Sequence, residues 1–302
     1  MTPTASAPFR IGTRASPLAL AQAEMAKGAL CAAHGWNADI VRLVPMQSSG
    51  DKDQSRPLAD IGGKALWTKE LERALIDGDI DIAVHSMKDV ETVRPDTFRI
   101  AAMLPRADVR DRLIGADSIL NLAQNALVGT SSPRRAAQLK ALRPDLRTEP
   151  IRGNVATRLA KVESGEFAAT LLAAAGLDRL RLVDTGAPIA IEQMLPAASQ
   201  GAIGIDCLSV RDELMPVLDA INHAETFVCV MAERAFLEAL SGNCHSPVAA
   251  LAVVKKSGVW LSGQILSEDG SESIRGEGDD PVALAQQLLA RASPALKALF
   301  AS

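Results

Sequence analysis

Two side chains able to do acid–base or nucleophilic chemistry stand together where an apolar run ends. Lys88 and Asp89 follow the run DIDIAVHS at 79–86, which predicts a buried strand. Open α/β sheets bind their ligands at the carboxyl ends of strands, so both side chains are placed for a site. A carboxylate there suits proton transfer or the stabilisation of a developing cation. The alternative for an adjacent Lys–Asp pair is an ordinary exposed turn.

A third chemical candidate is Cys244, in the turn LSGNCHSP between a predicted helix and a strand. A thiol in a turn is more accessible than one in a core, and the neighbouring His245 favours the thiolate. The alternative is an inert turn cysteine. The other cysteines, Cys31, Cys207 and Cys229, are interpreted as buried thiols, and no spacing of Cys and His predicts a zinc site.

Positive charge is concentrated between residues 130 and 160. This stretch contains seven basic and two acidic residues, in a chain whose net charge is -4. Arg134 and Arg135 fall in the first turn of a predicted helix, where the helix dipole favours anions and disfavours cations. Arg152 and Arg158 flank the start of the next helix. The alternative for a charge run is a solvated helix face, but this placement favours a ligand with several carboxylates or phosphates.

Two further basic residues lie at predicted helix starts and are candidates for the same ligand. Arg14 and Ser16 precede the helix that begins at Pro17, and Lys64 follows two glycines before another helix. A Gly-Gly-Lys sequence alone is common. Neither a phosphate-binding loop nor a dinucleotide-binding glycine fingerprint occurs, so a nucleotide ligand has little support.

The elements that must position these residues alternate along the chain. Short β-rich runs alternate with amphipathic helices, which predicts an α/β fold with mostly parallel sheets. Ser16, Ser132 and Asn154 suit helix N-caps. The segment 199–206 predicts a strand that returns the chain to its first domain. The tail predicts three antiparallel strands followed by helices over 281–300, and the polar stretch 47–57 predicts an exposed mobile loop.

Composition excludes several classes of function. The 302 residues are 48% hydrophobic and 23% charged, which is typical of a globular chain, and only 3% are aromatic, with no Tyr. Few rings and a net negative charge argue against a nucleic-acid partner. No apolar run is long enough to cross a bilayer, and the start of the chain lacks the features of a secretory signal, so we expect a cytoplasmic protein.

The motifs together resemble those of the porphobilinogen deaminase (hydroxymethylbilane synthase) family. The resemblance covers about residues 9–277, and its motifs occur in the family's order: RIGTRASPLALAQAE, GGKALWTKELERAL, DIAVHSMKDV, GTSSPRRAAQL, IRGNVATRL, AAGLDRL, LPAASQGAIGID and LSGNCHSPV. The combination of HSMKDV, the Ser-Ser-x-Arg-Arg segment and RGNVATRL is highly specific.

The resemblance implies a monomer of three domains. The first two, 1–103 with 200–220 and 104–199, would be doubly wound α/β domains similar to periplasmic binding proteins. The third, 221–302, would be a small α+β domain with a three-stranded antiparallel sheet that carries the cofactor cysteine. The loop 47–60 would correspond to a mobile segment over the active site.

The resemblance also implies the roles of individual residues. Cys244 would hold a dipyrromethane cofactor through a thioether bond, and Asp89 would be the catalytic residue. No metal is implied. The residues implied to bind the acidic side chains of cofactor and substrate are Arg14, Ser16, Lys88, Ser132, Arg134, Arg135, Arg152, Arg158 and Arg179, with Lys64 and Gln200 as further cofactor-binding residues.

The implied reaction joins four porphobilinogen molecules with loss of ammonia and releases hydroxymethylbilane by hydrolysis. Asp60, Ser199, Pro133 and Trp67 depart from the family's usual residues, but none of them is Asp89 or Cys244. Two other readings of the sequence stay open. One is a non-catalytic, two-lobed protein that binds polycarboxylate anions, and the other is an enzyme that forms a Schiff base on Lys88.

Overall fold

The first helix shows how local sequence sets the ends of the elements. The computed structural model describes residues 3–46, 65–243 and 246–300. In the helix Pro17–His34, Ser16 Oγ accepts a hydrogen bond from the backbone N–H of Ala19, and Pro17 takes the first helical position. Gly35 ends the helix in the left-handed conformation, with φ 64°. Both predicted helix ends are confirmed.

The remaining elements of the described residues follow in chain order. The strands are β1 (Phe9–Arg14), β2 (Val41–Met46), β3 (Ile82–Ser86), β4 (Phe98–Met103), β5 (Asp111–Ile114), β6 (Leu127–Gly129), β7 (Arg147–Glu149), β8 (Ala169–Ala173), β9 (Ala187–Pro188), β10 (Ile203–Leu208), β11 (Val248–Lys255), β12 (Gly258–Leu266) and β13 (Ser273–Gly278). The other helices are Ala65–Ile76, Pro133–Leu142, Val155–Glu163, Ala174–Arg179, Met215–Asp219, Ala224–Ala239, Pro281–Arg291 and Pro294–Ala298.

The first sheet has five strands in the order β2-β1-β3-β10-β4. β1 is parallel to β2 and to β3, whereas β10 is antiparallel to both β3 and β4. The prediction that a late segment returns to the first domain is therefore confirmed, although the strand occupies 203–208 rather than 199–206. The expectation of mostly parallel pairing was wrong for this half of the sheet, because the returning strand enters in the opposite direction.

The second sheet has the order β7-β6-β8-β5-β9 and repeats the same plan. β6 is parallel to β7 and β8, and β5 is antiparallel to β8 and β9. β5 had not been predicted from the sequence. The hydrophobic core beside the second sheet includes Leu113, Val128, Leu139 and Leu171, each at most 1% exposed.

The third sheet is a separate antiparallel one, β11-β12-β13, as predicted. Three helices contribute to the core beside this sheet: Phe236 comes from Ala224–Ala239, Leu288 from Pro281–Arg291 and Leu296 from Pro294–Ala298. The predicted α/β class and the small module with a three-stranded antiparallel sheet are therefore confirmed, and the structure adds that the two larger sheets are five-stranded and mixed.

Contacts between residues divide the chain into two compact units. The first unit is Met1–Ala107 with Ala202–Phe227, and the second is Asp108–Gly201 with Val228–Ser302. The division into three domains stays a prediction. Among the described residues, no helix is both long and apolar enough to span a bilayer, and no cluster of three potential metal ligands occurs.

Candidate functional site

The turn after β3 carries Lys88 and Asp89. The strand Ile82–Ser86 is buried along most of its length and continues directly into a single 3₁₀ turn, Met87–Asp89. The backbone N–H of Met87 donates to the carbonyl of Ala202, and the N–H of Val90 donates to that of Met87. Lys88 and Asp89 are both half-buried. The two candidate residues thus lie on a turn that is hydrogen-bonded to the first sheet.

A small pocket in the first unit brings three of the predicted site residues together. Arg14, Ser16 and Asp89 line a pocket of about 70 Å³, whereas Lys88 does not line it. Arg14 ends β1 and Ser16 caps the helix that follows, so the ends of two neighbouring parallel strands and a helix N-terminus meet there. Such a meeting point suits an acidic ligand beside a carboxylate.

Four polar lining residues of this pocket were missed by sequence reasoning: Gln22, Thr68, His85 and Ser86. Ser86 Oγ lies 2.7 Å from Gln22 Nε2 and 3.0 Å from its Oε1, which fixes both side chains. Gln22 is inside a helix with little polar pattern, so no local signal marked it. The packing of the helix Pro17–His34 against β3 brings the two side chains face to face.

His85 belongs to a buried charge network behind the pocket. Its Nε2 lies 3.7 Å from Asp206 Oδ2, and Arg94 Nη2 donates to the same oxygen at 2.8 Å. Arg94 Nη1 also donates to Glu72 Oε1. Burial lowers the pKa of His85, and the attraction of Asp206 only partly opposes this effect. The imidazole beside Asp89 is therefore neutral at neutral pH.

In the second unit, Arg134 and Arg135 converge on a carboxylate that the sequence analysis did not identify. Arg134 Nη2 donates to Asp111 Oδ2 at 2.8 Å, and Arg135 Nη2 donates to Asp111 Oδ1 at 2.7 Å. The Asp111 side chain is fully buried, and the two arginine side chains are 4% and 9% exposed. The cationic helix start is thus balanced in part by an aspartate of the chain itself.

Gln200 is bound to the same carboxylate. Its Nε2 donates to Asp111 Oδ1 and to the carbonyl of Val109, both at 2.8 Å. Burial alone would raise the pKa of Asp111, but the charges and hydrogen bonds of Arg134 and Arg135 outweigh burial and hold this pKa far below its usual range. Asp111 therefore stays ionised, and one aspartate joins three of the predicted binding residues.

The other predicted residues of the second unit are spread over several elements. Ser132 caps its helix by accepting from the N–H of Arg135, as predicted. Arg152 is half-buried after β7, and Arg158 Nε donates to the carbonyl of Gly153. The structure places these side chains near helix starts, and their ligand contacts stay predictions.

Arg179 differs from the other predicted arginines in that burial lowers its pKa without an ion pair among the described residues to compensate. Its Nη2 donates to the carbonyl of Gly201 at 2.7 Å, and burial lowers its pKa to about 10. Its buried Nε has no hydrogen-bond partner within the described ranges, and no described carboxylate forms an ion pair with it. The charge of the neighbouring Asp178 only partly opposes the effect of burial, so the desolvated guanidinium is costly in the free protein.

Three predictions lie outside the described residues: Cys244, Lys64 and the loop 47–60. Their roles stay predictions. The strands and helices that precede and follow Cys244 are described, and the nearest of them are the helix that ends at Ala239 and the strand that begins at Val248.

Comparisons with known proteins cover almost the whole chain. Residues 9–216 match the family model "porphobilinogen deaminase, dipyromethane cofactor binding domain", and residues 227–297 match "porphobilinogen deaminase, C-terminal domain". The porphobilinogen deaminase of Sphingopyxis alaskensis is 54% identical over 98% of this chain and 97% of its own length. That of Paracoccus denitrificans is 46% identical over 94% of this chain and 95% of its own.

Similarity to solved structures is much weaker. A periplasmic His/Glu/Gln/Arg/opine family-binding protein from Silicibacter pomeroyi matches 76% of this chain and 93% of its own at 14% identity, with a TM-score of 0.37. A similarity of this size supports no inference about function. The matches to family models and the identity to curated relatives over nearly the full length are decisive: the chain belongs to the porphobilinogen deaminase family.

Proposed function

We propose that this protein is a transferase that joins four porphobilinogen molecules, with loss of ammonia at each addition, and releases hydroxymethylbilane by hydrolysis. Family membership over nearly the full chain supports this activity. The observation that carries it in the structure is the pocket that places Asp89 beside Arg14 and Ser16. A carboxylate next to an anion-binding group suits a substrate that bears carboxylates and passes through a cation.

The cofactor of this family is dipyrromethane, and Cys244 is proposed to hold it through a thioether bond. When bound, it supplies the free pyrrole α-carbon to which the first substrate unit is joined. The described residues fit an acidic group, because the buried Nε atoms of Arg134, Arg135 and Arg179 have no hydrogen-bond partner in the described part of the chain. Carboxylate oxygens would supply the missing acceptors.

Asp89 is proposed to do the proton and charge chemistry. Its protonated carboxyl group donates the proton to the amine that leaves porphobilinogen as ammonia, and the carboxylate formed in this step stabilises the positive charge left on the substrate. The neutral His85 beside it adds no competing positive charge. Burial of Val84, Met87 and Val90 around the turn limits access of water to this side of the pocket.

The basic residues are proposed to bind and orient carboxylates. In the first unit, Arg14 and Ser16 hold an acidic side chain of the ligand in the pocket with Asp89, and Lys88 binds another. In the second unit, Arg179 binds a carboxylate of the ligand, because its guanidinium forms no ion pair with a carboxylate of the described residues. Arg152 and Arg158 do the same at the start of their helix, where the dipole adds to their attraction.

Intact mass spectrometry of protein purified from a host that makes porphobilinogen tests the proposal. The mass should exceed the sequence mass by two pyrrole units, and Cys244→Ser should lack the addition and the activity. Cys31→Ser is the matched control, because Cys31 is a half-buried thiol on a helix of the first unit. It should keep both.

Other outcomes identify the alternative functions. An unmodified active-site thiol together with tight binding of polycarboxylates and no turnover would indicate a binding protein. A borohydride-trapped substrate on Lys88 would indicate Schiff-base chemistry. We further propose that the enzyme is a cytoplasmic monomer, which light scattering during size-exclusion chromatography tests for the oligomeric state.

A further inference from the structure

We propose that Asp111 is a positioning residue of the anion-binding site: it holds the guanidinium groups of Arg134 and Arg135 and the amide of Gln200 ready to receive a carboxylate of the ligand. The inference rests on the proposed function, since the ligand is the dipyrromethane cofactor and the pyrrole units added to it. Asp111 lies in β5, outside the motifs named in the sequence analysis.

The first step of the argument is charge. Asp111, Arg134 and Arg135 are all buried, and the two arginines form no ion pair with any other carboxylate of the described residues. Two cations and one anion leave a single positive charge in a site with almost no solvent. A buried charge without a partner is strongly unfavourable. The cluster therefore favours the arrival of one more anion.

The second step is the count of hydrogen bonds. Arg134 bonds to Asp111 through Nη2, while its Nη1 donates to Gln138 Oε1 and to the carbonyl of Leu195. Arg135 Nη1 donates to the carbonyl of Leu171. On both arginines the buried Nε is left without an acceptor in the described chain. Nε and Nη2 share one edge of a guanidinium, and Asp111 occupies only the Nη2 half of that edge on each arginine.

The third step is orientation. Each carboxylate oxygen of Asp111 accepts a hydrogen bond from a different arginine, and Oδ1 also accepts one from Gln200 Nε2. One rigid carboxylate thus fixes three side chains that come from two separate segments of the second unit. Asp111 itself is fixed because β5 is hydrogen-bonded between β8 and β9. A ligand that meets donors already in place loses less free energy to ordering them.

The proposal separates two roles that a buried aspartate can have. If Asp111 only balanced charge, its replacement by asparagine would raise the positive charge of the site and would strengthen the binding of an acidic ligand. If Asp111 positions the arginines, the same replacement lets them swing away, and binding weakens. Asp111→Glu keeps the negative charge and moves the carboxylate by one methylene group. This variant therefore tests the effect of the carboxylate's position separately from the effect of its charge.

The test compares wild type, Asp111→Asn and Asp111→Glu by intact mass, urea denaturation and steady-state kinetics with porphobilinogen. We expect both variants to carry the adduct in a reduced fraction of molecules and to show KM raised at least about tenfold. Asp81→Asn is the control: Asp81 is a buried carboxylate of the first unit that accepts hydrogen bonds from Arg10. It should lose stability yet keep its adduct and KM.

Full adduct and wild-type KM in either folded Asp111 variant would overturn the proposal and leave the function intact. A wild type without adduct would overturn the function itself. If neither variant folds, a crystal structure of the wild-type holoenzyme decides. Ligand carboxylates at Nε of Arg134 or Arg135, with the Asp111 bonds retained, support the proposal. Carboxylates bound away from both arginines overturn it.

Discussion

Gly204 lies directly against the side chain of Met87. A Cβ atom added to the glycine would lie 2.0 Å from Met87 Sδ and 2.7 Å from its Cγ. Gly204 is on β10, opposite His85 of β3, and Met87 begins the turn that carries Asp89. Because Met87 is only 1% exposed, it has little room to move aside. The absence of a side chain at Gly204 therefore helps to set the position of Asp89.

Gly204→Ala is expected to displace Met87 and, with it, the turn of Asp89. Overpacking of a buried contact costs about 1–3 kcal/mol, and a displaced catalytic group should lower kcat by about tenfold or more. Urea denaturation and steady-state kinetics measure the two effects. In the control Gly28→Ala, the new Cβ meets nothing within 4 Å, and alanine should stabilise the helix by about 0.5–1 kcal/mol without changing kcat. Wild-type stability and kcat in Gly204→Ala would contradict the close contact.

Asp89→Asn should fold, keep its adduct and lose turnover. Removal of a group that transfers a proton and stabilises a cation lowers kcat by about 10²–10⁴-fold, while KM changes little because the arginines that bind carboxylates are intact. Single-turnover kinetics with porphobilinogen and the mass of the purified variant provide the readouts. Asp96→Asn, at an exposed position of the same unit, should behave as wild type. Near-normal turnover of Asp89→Asn would remove Asp89 from the catalytic role.

Arg179→Gln should weaken the binding of porphobilinogen with little loss of stability. Burial of the guanidinium lowers its pKa, Asp178 only partly opposes this effect, and the Nε has no hydrogen-bond partner among the described residues, so its removal relieves a cost in the free protein. A lost charge-assisted hydrogen bond is worth about 1.5–3 kcal/mol, which corresponds to a KM raised by about 10- to 100-fold. Arg147→Gln, an exposed arginine on β7, is the control for general loss of positive charge. Equal changes in KM for both variants would show that only net charge matters.

His85 should make the folded protein less stable in mild acid. Burial lowers its pKa below the ordinary value of 6.5, so the unfolded chain binds a proton at this residue more readily than the folded protein does. Stability is therefore complete above pH 6.5 and falls as pH drops below it, until the lowered pKa is reached. The charged groups that act on the ring are Asp206, Arg94, Glu72 and Asp89.

Urea denaturation at pH 7.5 and pH 5.5 checks this dependence. The loss of unfolding free energy between the two pH values should be smaller in His85→Gln than in wild type, because glutamine has no proton to gain. An equal loss in the two proteins would show that His85 does not contribute.

Much of the fold could be predicted because its signals are local. Ser16, Ser132 and Asn154 cap helices whose starts are described where the sequence placed them. β5 was missed because Asp111 and Arg112 interrupt a strand of only four residues. The polar residue Asp111 is explained by its hydrogen bonds to Arg134 and Arg135, which lie more than 20 positions away in the sequence.

The site shows the same division. Lys88 and Asp89 could be recognised because they follow an apolar strand, and the pocket brings Asp89 together with Arg14 and Ser16. The helix-dipole argument for Arg134 and Arg135 predicted an anion but could not distinguish an external one from an aspartate of the chain. His85 and Gln22 fall within two of the motifs, but nothing local in the sequence marked them as lining the pocket, since a buried polar residue is identified by its partners in space.

The place of β10 also has a consequence for how the protein is made. β10 is hydrogen-bonded between β3 and β4, yet the ribosome delivers it only after every strand of the second sheet. The middle of the polypeptide, from β5 to β9, holds a whole sheet and is able to close while synthesis continues. The amino-terminal portion must wait with two unpaired strand edges, which invite wrong pairing. Completion of the first sheet is therefore set by the arrival of a six-residue segment after about two thirds of the chain has been made.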